Sequence, residues 1–492
     1  MNCFALALLA FLPPAASPEA VGVSSPQLLR WIDACEREID TLHGFVLLRH
    51  GMVVAEGSWA PYRTLEETHR LSSHSKCFIT TAVGILVDGG KLDLDERIVD
   101  LVPDKLPARP SPNLQSVRVR DLLTMTAGAK NPEGWTDDVA GDWVKAILAQ
   151  DYATAPGRSF AYSSAATHLL GVIAERRAGM GLFDFLRERL FSKIGIEKAW
   201  TTYDPNGNAC AAWGFNMTTR EISLIGQLYL DKGVWNGRRI LSEEWVSLAT
   251  TKQTHSGKTF DDRDRLGRND WLLGFGFNFW YCQHGAYRAD GSGGQYTIVF
   301  PEQDAVLSIN ADVDDMQKVL DVVWRDLLPS LKPGSLPEDA SASHALRARC
   351  ASLALKPVEG TAQGGDRFYG RRFAFSKSAD WLRGAQIDRK GNGWTLTLVT
   401  AAGEYAVPVA YGSWAGGEAV FSPLAYEPLG TLIGRQRLMS SAAVQKDGSL
   451  RVRVHQLDGM RRIDLNFRKR LIGGLTVDGS VAGQSEIEGR CQ

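Results

Sequence analysis

Ser73 and Lys76 stand three residues apart in the stretch Arg70-Leu71-Ser72-Ser73-His74-Ser75-Lys76-Cys77-Phe78-Ile79. A serine hydroxyl attacks a carbonyl poorly until a neighbouring base takes its proton. Lysine is such a base only when neutral, and burial together with the positive end of a helix dipole lowers its pKa from about 10.4 toward the working range. Phe78, Ile79, Ala82, Val83, Leu86 and Val87 recur at the spacing of a helix face and Gly89-Gly90 ends the run, which predicts a buried helix whose first turn carries Ser73 and Lys76 on one side. Ser72 or Ser73 is expected to cap it, and the free N–H groups of that turn could hold a developing oxyanion. Chance and ordinary capping also produce a lone Ser-x-x-Lys, so the catalytic reading rests on the remainder of the chain.

The elements that must position this pair are legible in outline. A helical pattern from Ser24 to Arg37 precedes two strands around a tight turn at His50-Gly51. A helix follows the turn and short run Pro156-Gly157-Arg158-Ser159-Phe160-Ala161-Tyr162-Ser163-Ser164, which leaves Tyr162 at the end of a loop. Strand patterns resume at 274–280, 296–301 and 305–310. Helices between strands from both ends of a segment predict an α/β (α+β) domain with an antiparallel sheet flanked by helices over residues 18–330. Residues 331–349 read as a Pro-, Gly- and Ser-containing linker, residues 350–470 as a β-rich domain with period-two alternation, and residues 471–492 as a loose tail.

With 55 Lys and Arg against 56 Asp and Glu the formal charge is -1, which leaves no electrostatic footprint for nucleic acid or an anionic membrane. Hydrophobic residues make up 44%, the balance of a globular chain, and after the N-terminus no stretch is long and apolar enough for a membrane span. The first 17 residues, apolar and ending Pro13-Pro14-Ala15-Ala16-Ser17, read as a secretory signal peptide without the usual positive charge, hence a periplasmic or secreted protein. The alternative is a buried N-terminal segment of a cytoplasmic protein. Seven scattered cysteines form no metal-ligand spacing and read as mostly free and buried, Cys77 as a core residue of the helix.

Three motifs together resemble the serine β-lactamase and penicillin-recognising superfamily, and within it the class C-like esterases and amidases. They are Ser73-His74-Ser75-Lys76, the Tyr162-Ser163-Ser164 segment after Pro156-Gly157, and Gly291-Ser292-Gly293-Gly294-Gln295-Tyr296 leading into a strand that ends at Pro301. The match runs from about Ser24 to Pro329. It implies Ser73 as the acylated nucleophile, with Lys76 and Tyr162 as its proton-transfer partners, Tyr162 sharing one proton with Lys76 as a phenolate stabilised by the ammonium. Ser164 stands where the family has the Asn of Tyr-x-Asn. The family's Lys-Thr-Gly falls on Ala289-Asp290-Gly291, so the cation that would hold a β-lactam carboxylate is missing and Asp290 would repel it. Gly291 and the N–H of Ser292 could still complete an oxyanion hole with the N–H of Ser73.

His74 reads as structural, and His168 and His284 as histidines without a matched acid partner. Trp135, Trp271 and Trp280 flank the motif loops and could line a substrate pocket or simply pack. The reading is a serine hydrolase forming an acyl-enzyme without metal or organic cofactor, acting on a small-molecule ester, amide or peptide. A cell-wall D-peptidase or β-lactamase is the alternative within enzymes, and a catalytically silent ligand-sensing protein the alternative outside them. Export predicts a mature chain that begins between Ala16 and Val21, checked by N-terminal sequencing of protein from the native host; intact Met1 in the cytoplasm would contradict it.

Overall fold

A computed structural model of the chain describes residues 12–62, 65–133, 141–256, 269–379, 381–391, 393–423, 434–459, 462–469, 474–481 and 486–491. The first domain is built on a six-stranded antiparallel sheet of β1 (Leu42–Arg49), β2 (Met52–Ser58), β3 (Trp280–Tyr281), β4 (Tyr287–Gly291), β5 (Gln295–Phe300) and β6 (Ala305–Ala311), in the order β2-β1-β6-β5-β4-β3. The expected hairpin turn at His50-Gly51 is present. Both residues have positive φ, 51° and 70°, the backbone of a two-residue turn whose twist suits the flanking strands. β6 returns from the far end of the domain to pair with β1, Phe45 opposite Ile309.

β1 is buried along its whole length because both faces are covered. Phe45 and Leu47 pack beneath α1 (Ser25–Glu38), whose Leu28, Trp31, Ile32 and Cys35 recur at helical spacing. Val46 and Leu48 face the opposite core, which contains α2 (Lys76–Asp88), α3 (Ser164–Ala178) and α4 (Thr219–Leu230). Sheet and helices thus form the antiparallel, helix-flanked domain expected, with the Ser-x-x-Lys helix inside its larger core.

The second domain is a ten-stranded antiparallel sheet comprising β7 (Arg371–Lys377), β8 (Leu382–Lys390), β9 (Gly393–Thr400), β10 (Gly403–Val409), β11 (Ala415–Val420), β12 (Arg435–Val444), β13 (Leu450–Gln456), β14 (Arg462–Lys469), β15 (Leu475–Val481) and β16 (Glu486–Cys491). Their order is β10-β9-β8-β7-β16-β15-β14-β13-β12-β11. Alternate residues such as Trp394, Leu396 and Leu398 point into one core. Ala410, just past one edge strand, accepts the Ala442 N–H at 2.9 Å from β12, so the sheet curls nearly into a barrel.

Two sequence expectations are corrected here. The tail, residues 471–492, supplies β15 and β16, which sit between β7 and β14 and bury Val477, Val481 and Ile487. Its polar residues lie mostly on the exposed face, while Gly479 and Gly489 share the inward face with Val477, Val481 and Ile487, so the apolar alternation is sparse enough to read as loop. Within the linker, residues 331–349, a helix α5 (Ala340–Ala351) begins, capped by Asp339 accepting the Ala342 N–H at 2.9 Å. Its Leu346 is buried and its Arg349 pairs with Glu36 of α1, so the segment is docked. The expected signal peptide lies largely outside the described residues; Pro13 and Ala15 pair through their backbones with Val53.

The domains meet where the chain approaches Ser73. Arg437 of β12 reaches Glu67 at 2.7 Å, Arg462 of β14 donates to Thr41 Oγ1 at 3.0 Å, and the His455 ring lies 5.7 Å from that of Tyr62. Cys35, Cys77, Cys282 and Cys350 are free thiols. The placement of β15 and β16 predicts that a chain ending at Arg470 loses the cooperative melt of the second domain. Three buried aliphatic side chains are worth about 5–9 kcal/mol together, against a domain stability of about 5–15 kcal/mol. Calorimetry of the truncated and full chains checks this, and an unchanged melt would contradict it.

Candidate active site

The strand His69–Arg70 pairs with Phe215–Met217, and the chain then enters a 3₁₀ turn, Ser72–Ser75, that runs on into α2. Ser72 is left-handed at φ 47°, a conformation that costs a non-glycine residue on the order of 1–3 kcal/mol and persists only where its surroundings hold it. Gly291 is part of that hold. A Cβ there would stand 2.1 Å from the Leu71 carbonyl oxygen and 2.9 Å from the His74 nitrogen, so the end of β4 can lie on the turn only because residue 291 lacks a side chain. Neither Ser72 nor Ser73 caps the helix through its side chain, contrary to expectation.

Lys76 Nζ lies 3.0 Å from Ser73 Oγ, 3.0 Å from the Ala212 carbonyl oxygen and 3.4 Å from Ser164 Oγ. Lys76 is 2% exposed, and burial pushes its pKa down to about 8 against the opposing pull of the Glu133 and Asp290 carboxylates. A neutral amine has two hydrogens and one lone pair. With hydrogens on Ala212 O and Ser164 Oγ, the lone pair faces the Ser73 hydroxyl, the arrangement a general base requires. Ser73 is only partly buried and therefore reachable.

The Tyr162 phenol stands beside Ser73, and its ring lies 5.0 Å from Lys76 Nζ. It stacks on Trp280 at 5.7 Å and meets Phe275 edge-on at 6.3 Å. Burial, joined by the negative charge of Asp290, holds its phenol far above the usual range. The expectation of a phenolate beside an ammonium is thus reversed: in the free protein the phenol keeps its proton and Lys76 is the group poised to lose one. Ser164, in the first turn of α3 after the N-cap Ser163, points its hydroxyl at Lys76. Ser292 is exposed in the turn from Gly291 into β5.

Asp290 also departs from expectation. Its carboxylate receives Arg288 Nε–H at 2.9 Å, and Arg288 packs its guanidinium on Trp271 at 4.4 Å. The acid's charge is therefore largely offset by a cation two residues away on the same face of β4. Arg288 is fully buried and cannot reach a substrate carboxylate, while Ala289 lies in the core, so neither replaces the family's lysine. A cavity of about 790 Å³ opens beside Tyr162, lined by Pro132, Arg158, Phe160, Gln253 and His255 among others.

The remaining candidates fall away from the chemistry. His74 Nε2 lies 2.8 Å from Thr297 Oγ1, and burial pushes its pKa to about 3, so it is a neutral structural group. His168 does have an acid partner, Asp204 at 3.2 Å, which sequence spacing does not reveal, but the pair is sealed beside Trp143 and Trp213. His284 is exposed near Trp324, and burial pushes the Cys77 thiol up. Trp280 packs on Tyr162, and Trp271 on Trp280 and Arg288; Trp135 lies outside the described residues. Sequence reasoning missed Ala212, whose contribution is a main-chain carbonyl that any residue type carries. It also missed Glu133, a loop carboxylate with no motif around it.

A sheet-and-helix domain with a serine, a buried lysine and a tyrosine converging at a helix start defines a serine hydrolase of β-lactamase type. Residues 32–325 match the family described as Beta-lactamase, and the chain belongs to it. It is 27% identical over 285 residues to the 6-aminohexanoate-dimer hydrolase of Paenarthrobacter ureafaciens, covering 54% of this chain and 70% of the relative. A putative 6-aminohexanoate-dimer hydrolase from Bacillus anthracis superposes with a TM-score of 0.52 at 20% identity, over 67% of this chain and 89% of its own. A structure titled SurE covers 94% of this chain and 98% of its own with a TM-score of 0.50 at 17% identity, a likeness of fold that extends over both domains.

A general base must be neutral, so an activity that uses Lys76 as its base should fall about tenfold per pH unit below about 8, where burial puts its pKa, and level off above it. The rate of fluorophosphonate labelling between pH 6 and 10 measures this. A flat profile across that range would contradict it.

Proposed function

We propose that the protein hydrolyses ester or amide bonds of small molecules through an acyl-enzyme on Ser73. The observation that carries this reading is the 3.0 Å contact between Ser73 Oγ and a buried lysine amine whose other hydrogens are engaged. As Ser73 Oγ bonds to the carbonyl carbon, its proton passes to Lys76 Nζ. The carbonyl oxygen becomes an oxyanion, held by the N–H groups of Ser73 and of Ser292 beyond Gly291. Tyr162 gives its phenolic proton to the leaving group as the carbon–heteroatom bond breaks and is reprotonated from the Lys76 ammonium. Water then attacks the acyl carbon, loses its proton to the same pair and releases the acid, and Ser73 recovers its hydrogen.

The substrate proposed is a neutral ester or amide rather than an anionic β-lactam. Support for excluding an anionic β-lactam comes from the missing cation at Ala289 and the burial of Arg288, and support for an amide comes from the name of the Paenarthrobacter relative, a hydrolase of the 6-aminohexanoate dimer. A single charge-assisted contact is worth a few kcal/mol, so its loss should lower the rate roughly a hundredfold. We place the protein in the periplasm or outside the cell on the strength of its apolar N-terminal run.

Ser73→Ala and Lys76→Ala should each abolish turnover and leave the melting transition intact, and the double variant should be little worse than either. Ester turnover by Ser73→Ala at the wild-type rate would refute the nucleophile. The unmodified protein should cleave p-nitrophenyl acetate well and nitrocefin poorly. Efficient nitrocefin hydrolysis would point to a β-lactamase instead, and failure of a fluorophosphonate to label Ser73 to a silent binding protein.

A further inference from the structure

Glu133 lies in the loop after Pro132, far from Lys76 in sequence, yet its carboxylate belongs to the same cluster. Its Oε1 accepts the Ser164 N–H at 2.5 Å, and the Ser164 hydroxyl stands beside the carboxylate. Ser164 Oγ in turn lies 3.4 Å from Lys76 Nζ. The groups form one cluster that runs from Lys76 through Ser164 to the Glu133 carboxylate, ending at a side chain that no sequence motif marks. Its second oxygen, Oε2, is buried without a hydrogen-bond partner, which is an unusual state for a carboxylate that serves merely as a helix cap.

We propose that Glu133 is a positioning residue for the Ser73 reaction, fixing the Ser164 hydroxyl so that the lone pair of Lys76 is aimed at Ser73. The inference rests on the acyl-enzyme reading above. A serine hydroxyl is a free rotor with one hydrogen and two lone pairs. Left alone, Ser164 could donate its hydrogen to the lysine lone pair and withdraw it from Ser73. Turned instead to the neighbouring Glu133 carboxylate, that hydrogen leaves Ser164 able only to accept from Lys76. One amine hydrogen is then held by Ser164 and the other by Ala212 O, and the remaining direction is that of Ser73. Glu133 has a second effect, which is electrostatic. The titratable groups facing Lys76 are Glu133, Asp290 and Tyr162, and Arg288 stands behind Asp290; Glu133 and Asp290 favour the ammonium formed when Ser73 gives up its proton.

Glu133→Gln keeps the shape and an acceptor for the Ser164 N–H but removes the charge and lets an amide hydrogen face the Ser164 hydroxyl. The test is the second-order rate of fluorophosphonate labelling against pH for the wild type, Glu133→Gln and Glu133→Asp, with Ser73→Ala as control. Glu133→Gln should lower the alkaline plateau about tenfold, because the base is less well aimed. It should also move the acid limb to lower pH by about half a unit or more, because a carboxylate that favours the ammonium is gone. Glu133→Asp retains the charge and should keep the limb near that of the wild type. A limb and plateau in Glu133→Gln that coincide with the wild type would overturn the proposal, since a helix cap moves neither. Labelling of Ser73→Ala at the wild-type rate would instead bring down the acyl-enzyme reading, so the two failures are distinguishable.

Discussion

The structure depends on keeping one lysine amine dry and directed. Lys76 sits at the start of a helix wholly inside the larger core, where an ammonium is poorly solvated, and its pKa falls from 10.5 to about 8. At about 1.4 kcal/mol per unit, that shift is a cost of roughly 3 kcal/mol for holding the charged form in place. It is offset by the packing of α2, whose Phe78, Ile79, Ala82 and Val83 are fully buried. The fold thus carries an energetically unfavourable group in its buried core, where close packing limits the positions open to the amine.

Several features make sense as supports for that amine. The loop carrying the Ala212 carbonyl is tied to the turn, since the Phe215 N–H donates to Ser75 Oγ at 3.2 Å. Gly291 lets β4 press on the Ser72–Ser75 turn and hold Ser72 in its left-handed state. The second domain grips the approach to the turn through Arg437 and Glu67 and through Tyr62 with the buried histidines His43, His69 and His455. Burial pushes His69 to about 4 and His455 to about 3, so this junction is held by neutral rings. Its contribution is greatest above the ordinary histidine range near pH 6.5 and is lost as the pH falls toward those values.

Much of the site was legible because its residues act through side chains at fixed local spacing. Ser73 and Lys76 share a helix turn, Tyr162 and Ser164 flank a helix start, and Gly291 ends a strand. What was not legible acts through space. Asp290 read as a bare acid because its neutraliser, Arg288, is recognisable only once a strand puts residues two apart on one face. Glu133 became visible only when the loop brought it to Ser164. The main fold was readable from helical and period-two patterning. The last two strands were not, since Leu475–Val481 interleaves its apolar residues with Thr, Asp, Gly and Ser. The helix Ala340–Ala351 was hidden by the Pro and Gly that precede it.

The central claim is that Lys76 gives up its proton near pH 8, well below the solvated lysines. Titration of the lysine side-chain ¹³Cε resonances by NMR, with the signal assigned by its loss in Lys76→Ala, measures this without any substrate. The account predicts a single lysine titrating near pH 8, where Lys76 is pushed to about 8. A Lys76 resonance that titrates with the exposed lysines, at about 10.4, would contradict it.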